Sequence, residues 1–100
     1  MKTEITQSGN TVTVTITGRL DTVTSAEFEK TLAPHFATQG LELVLDCREM
    51  EYISSAGLRV VLTAHKNITA KGGRFIIRNI NKEVHSVFHM TGFSRILTIE

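Results

Sequence analysis

The hydrophobic period of this chain switches repeatedly between two residues and about 3.6, and that alternation constrains the fold more than any other feature. Thr11 to Thr17 alternates strictly, with Val12, Val14 and Ile16 on one side and four threonines on the other. Period two in β-branched residues is a half-buried strand. Ahead of it, Lys2 to Gln7 carries Ile5, and Ser8-Gly9-Asn10 supplies residues that tolerate positive φ. The two segments predict an antiparallel hairpin, closed at its far end by Gly18. The period then changes. Phe28, Leu32 and Phe36 recur every four residues, the spacing of one helix face. Thr24 with Glu27 predicts a capping box at its start, and Val23 with Phe28 fits a hydrophobic staple. Pro34 lies inside the run and should kink or shorten the helix, and Gly40 ends the segment.

The same switch recurs twice more. Leu41 to Leu45 is a short, nearly continuous apolar run, the pattern of a strand buried on both faces of a parallel sheet. Tyr52-Ile53 and Ser54-Ser55-Ala56-Gly57 lead into a helical stretch with Leu58, Val61, Leu62 and Ile68 on one face, stopped by Gly72-Gly73. Arg74 to Arg78 reads as a second buried strand. Asn81 reads as an N-cap for Lys82 to Thr91, with Val84, Val87 and Phe88 inward and Gly92 as the stop. Ile96 to Ile99 reads as a last strand. The order β-β-α-β-α-β-α-β implies a single α/β domain: a mixed sheet with an N-terminal hairpin and helices packed against it by right-handed crossovers.

Composition removes several classes of function. One hundred residues hold one core, enough for independent folding without staples. A formal net charge of +1 from 11 basic and 10 acidic residues gives no clustered basic excess, so neither nucleic acid nor an anionic membrane is expected as a direct partner. No apolar run is long enough to span a bilayer, and the N-terminus lacks the apolar block of a signal peptide. With a lone Cys47, no internal disulfide can form. A cytoplasmic protein is expected, as a monomer or weak dimer.

Chemistry concentrates at Tyr52-Ile53-Ser54-Ser55-Ala56-Gly57-Leu58. Two hydroxyls sit where a buried strand feeds a helix, whose N-terminus carries unpaired N–H groups and partial positive charge. A phosphate on Ser55 would be tolerated there. From spacing alone, Ser54 or Ser55 reads first as a simple N-cap. Asp21 can be read as a turn or capping carboxylate.

These residues resemble a known family. Gly18-Arg19-Leu20-Asp21, Leu43-Val44-Leu45-Asp46, Tyr52 to Leu58, Gly72-Gly73 and Met90-Thr91-Gly92-Phe93 are similar to the STAS domain of bacterial anti-sigma factor antagonists, almost end to end. The resemblance implies a switch protein without catalysis or cofactor. Such a protein binds an anti-sigma factor that is also a serine kinase, which frees a sigma factor. Phosphorylation at the start of the second helix releases it, and a PP2C-type phosphatase resets it. Ser55 matches the acceptor. The family often has Asp just before that serine, where this chain has Ser54, so Ser54 stands as a second candidate. The implied docking surface draws on Asp21, Thr22, Ser54, Ser55, Ala56, Gly57 and Arg59. Small STAS proteins also serve as non-enzymatic subunits of lipid-transport ATPase assemblies, the alternative reading.

Other candidates are weaker. His85 and His89 have a helical metal-ligand spacing but lack the Glu and third ligand of a zinc motif. Cys47 reads as a small structural thiol. A Ser55–His65 nucleophile pair fails, because ten residues along one helix separate them by about 15 Å.

Overall fold

A computed structural model describes residues 1–100. Its strands are β1 (Lys2–Ser8), β2 (Thr11–Leu20), β3 (Glu42–Ile53), β4 (Arg74–Arg78) and β5 (Thr98–Ile99). Its helices are α1 (Thr22–Leu32), α2 (Ser55–Ala70) and α3 (Lys82–Met90). The element order is the expected one, and the five strands lie side by side in chain order. β1 runs antiparallel to β2, and every later pair is parallel. Each crossover therefore joins neighbouring strands in the same direction, and three right-handed crossovers of that kind lay all three helices on one face.

That face carries the core. Val12, Val14 and Ile16 of β2 line up with Leu43, Leu45 and Cys47 of β3 and Phe75 and Ile77 of β4, under Phe28 and Leu32 of α1, Val61, Ala64 and Ile68 of α2, and Val84 and Phe88 of α3. Phe28 and Phe88 are completely buried, and each such side chain contributes about 1.5–3 kcal/mol relative to exposure. The β2 threonines project to the opposite face, in cross-strand rows such as Thr13–Val44–Ile76–Thr98. Val44 and Ile76 are buried there, outside the main cluster.

Several boundaries differ from the sequence expectation. α1 begins at Thr22, and Asp21 is its N-cap, with Thr24 completing the capping box from the third position. The pairing is Asp21 with Thr24, one step ahead of Thr24 with Glu27. The staple does not form, because Val23 is 83% exposed. Pro34 shortens the helix: α1 stops at Leu32 and Ala33–His35 forms a 3-10 turn. Strand β2 continues through Gly18 to Leu20. Gly18 adopts φ +98° beside Met1, a conformation that glycine enters at little cost. β3 runs for 12 residues, far beyond Leu45. Its polar second half pairs with the end of β2 through two register shifts, which absorb extra residues as bulges. α3 ends at Met90, and β5 is only two residues long because Phe93–Arg95 forms a 3-10 turn before it.

Candidate functional site

The extended ends of β2 and β3 hand the chain to α1 and α2 side by side. The Ser54 N–H donates to the Leu20 carbonyl at 2.8 Å, tying the two strand-to-helix junctions together. Each junction is closed by its own cap. In the first, Asp21 Oδ1 accepts from the N–H groups of Val23 (3.0 Å) and Thr24 (2.9 Å). Thr24 Oγ1 accepts from the Asp21 N–H at 2.9 Å and lies 2.9 Å from the Arg19 carbonyl, to which it can donate. The N–H and hydroxyl of Thr24 hold the Asp21 carboxyl below its ordinary value.

In the second junction, Ser54 is the cap. Its Oγ accepts from the Gly57 N–H at 3.1 Å, and the residue is only 8% exposed. Ser55, the first residue of α2, is exposed and its hydroxyl makes no hydrogen bond within the chain. The two serines therefore have different work: one hydroxyl satisfies an orphan helix N–H, and the other faces solvent. No acidic residue occupies the first turn of α2, so the positive end of its dipole is uncompensated there.

Gly57 explains how the two junctions come so close. A Cβ at this position would lie 2.9 Å from Ile53 Cγ1 and 2.9 Å from Leu20 Cγ. Its absence lets α2 rest directly on the strand ends. Of the residues expected at a docking surface, Gly57 and Ser54 are buried, Asp21 and Ala56 are half-buried, and Thr22, Ser55 and Arg59 are exposed. Thr22, Ala56 and Arg59, with Ser25, Glu29 and Val60, line a groove of about 260 Å³ between α1 and α2.

Three exposed neighbours extend this end of the molecule. The Arg19 guanidinium stacks 4.3 Å from the centre of the Tyr52 ring, a cation–π contact, and Tyr52 and Val23 are 40% and 83% exposed. Arg19 and Tyr52 stand inside the motifs singled out above; their juxtaposition depends on the β2–β3 register, which places them opposite each other.

The remaining candidates lie elsewhere. His85 and His89 are exposed on α3, and no three His, Cys, Asp or Glu side chains converge as metal ligands. His65 packs edge-on against Phe75. Burial and the Asp46 carboxylate push the Cys47 thiol up to about 12, which leaves it protonated and unreactive. A larger depression of about 550 Å³ between β3 and the start of α3 mixes Arg48 and Lys82 with Glu49, Glu51 and Glu83. No helix is long and apolar enough to cross a membrane.

The family and the fold are shared with known proteins. The STAS domain family matches residues 2–100. The chain belongs to the STAS domain family. An anti-sigma-B factor antagonist of Bacillus subtilis (strain 168) is 27% identical to this STAS domain over 96 residues, 96% of this chain and 87% of that protein. An anti-sigma factor antagonist from Mycobacterium paratuberculosis superposes with a TM-score of 0.87 at 20% identity, covering 98% of this chain and 83% of the other. The Bacillus cell fate determinant SpoIIAA, in its phosphorylated form, superposes with a TM-score of 0.76 at 17% identity, over 99% of this STAS domain and 91% of SpoIIAA.

Proposed function

We propose that this STAS domain is an anti-sigma factor antagonist that docks on an anti-sigma factor serine kinase and is switched off by phosphorylation of Ser55. The observation that carries the reading is the division of labour between the serines: Ser54 is buried as the α2 cap, while the Ser55 hydroxyl is exposed and unbonded. A kinase needs an accessible hydroxyl, so Ser55 takes the role for which Ser54 was the second candidate. The names of the relatives support the docking partner, and the phosphorylated SpoIIAA supports a phosphate on this fold.

The chain does no chemistry itself in this reading. A phosphate adds about −1.5 to −2 charge, and the α2 N-terminus accommodates it without disturbing the core. Its effect falls on the partner, where a dianion meets an apolar or acidic surface and costs desolvation and repulsion. Asp21, Thr22, Ala56 and Arg59 surround the acceptor and form the docking rim. A PP2C-type phosphatase restores the binding form.

Peptide mass spectrometry across Tyr52 to Arg59, on protein isolated from its host during growth and stress, tests the reading. Phosphate on Ser55 that changes with condition is the expected result, with Ser55→Ala binding the partner and resisting inactivation. Phosphate on Ser54 would refute the site. An unmodified peptide under every condition would overturn the switch and favour the transport-subunit alternative.

A further inference from the structure

The outer edge of β1 is the one long free edge of the sheet, since β5 at the other side has only two residues. Edge strands are commonly blunted by proline, bulges, shortness or charged side chains, above all lysine. β1 lacks the first three, its seven residues pairing with β2 in one unbroken register, and its two charges, Lys2 and Glu4, are of opposite sign. Every residue except Thr3 is exposed, and Met1 and Ile5 remain 37% and 43% accessible. Ser8 and Thr11 close a two-residue turn, so Ser8, Thr6, Glu4 and Lys2 exchange backbone bonds with β2. The N–H and C=O groups of Thr3, Ile5 and Gln7 consequently point outward.

We propose that this edge is a self-association surface, on which a second copy of the chain adds its own β1 antiparallel about a twofold axis at Thr3. That register sets Thr3 against Thr3, Met1 against Ile5 and Lys2 against Glu4 of the second copy. One face of the new pair then carries two Met1–Ile5 contacts around the paired threonines and the other carries two opposite-charge pairs, the cross-strand combinations that stabilise a sheet. Lys2 and Glu4 already approach to 3.4 Å within one strand, with side chains 73% and 66% exposed. Both side chains can exchange this exposed partner for one on the second copy. A twofold axis at Glu4 would oppose two carboxylates, and one at Ile5 would set Lys2 against Ser8 and Glu4 against Thr6, leaving the charges without partners. A short edge buries much less than the roughly 1,600 Å² of a standard interface, so the dimer is weak and forms at high protein concentration.

Sedimentation of the full chain from micromolar to millimolar concentration tests the proposal. The expected mass rises toward that of a dimer, and isotope-filtered NMR finds the Lys2 and Glu4 α-protons of two copies in contact. Glu4→Lys weakens association about tenfold, since it replaces two attractive exposed pairs with repulsive ones. The double swap Lys2→Glu with Glu4→Lys restores it. Both positions are exposed, and unchanged circular dichroism confirms that the variants fold. A monomer at every concentration, a Glu4→Lys dimer of undiminished affinity, or failure of the double swap to rescue would each overturn the proposal.

Discussion

Replacing the two adjacent serines one at a time separates their roles by stability alone. Ser54→Ala removes the side-chain acceptor for the Gly57 N–H. Loss of an N-cap costs about 0.5–2 kcal/mol, and the upper end applies here. The Gly57 N–H and its bond to Ser54 are buried, so water cannot readily replace the lost acceptor. A loss of about 2 kcal/mol in a domain of this size lowers Tm by about 8–16 °C and moves the urea midpoint down by about 0.7–2 M. Ser55→Ala removes an exposed hydroxyl with no intramolecular bond, and alanine is a strong helix former. Its effect should stay within about 0.5 kcal/mol. Urea unfolding followed by circular dichroism measures both, with equal slopes required for a clean comparison. Equal losses from the two variants, or a Ser54→Ala protein as stable as the parent, would refute the assignment of Ser54 as the cap and the argument that leaves Ser55 free.

Two further outcomes follow from the same junctions. Gly57→Val should destabilise by at least about 2 kcal/mol through overpacking against Leu20 and Ile53, read as a lower thermal midpoint; a neutral result would show that α2 does not rest on the strand ends. Acid should weaken the fold through Asp21 and Asp46. Burial raises the Asp46 pKa, but hydrogen bonds from Asn79 and the Arg48 N–H, with the charges of Arg48 and Arg78, outweigh it and leave the net shift downward, as at Asp21. Stability from such depressed carboxyls is complete above the ordinary value of 3.8 and is lost as pH falls through the lower folded values. Asp21→Asn with Asp46→Asn should therefore flatten the acid limb of a urea-midpoint profile, and an unchanged limb would contradict the shifts.

The architecture was legible because hydrophobic periods survive without tertiary context. Val12, Val14 and Ile16 announce their strand, and Asn81 caps α3 where expected. Boundaries dictated by partners were not legible. Asp46 to Glu51 looks like a loop by charge, yet it pairs with the end of β2 and so remains strand. Asp-x-x-Thr and Thr-x-x-Glu overlap at the start of α1, and the end of β2 at Leu20 selects the earlier pair. At the candidate site, the resemblance put Ser55 first and kept Ser54 as a second candidate. Burial distinguishes them, and burial depends on Gly57 admitting α2 to the strand ends.

The chain-order sheet also has a practical consequence for anyone building a sensor from this domain. The turns at Gly9-Asn10, Gly40 and Gly72 gather at the end of the sheet remote from Ser55, and Gly72 has open space around it. Exposed tips of this kind tolerate insertions. A fluorophore grafted at the exposed neighbour Lys71, whose φ of −95° suits any side chain, would report from one end while the opposite end stays clear for a partner.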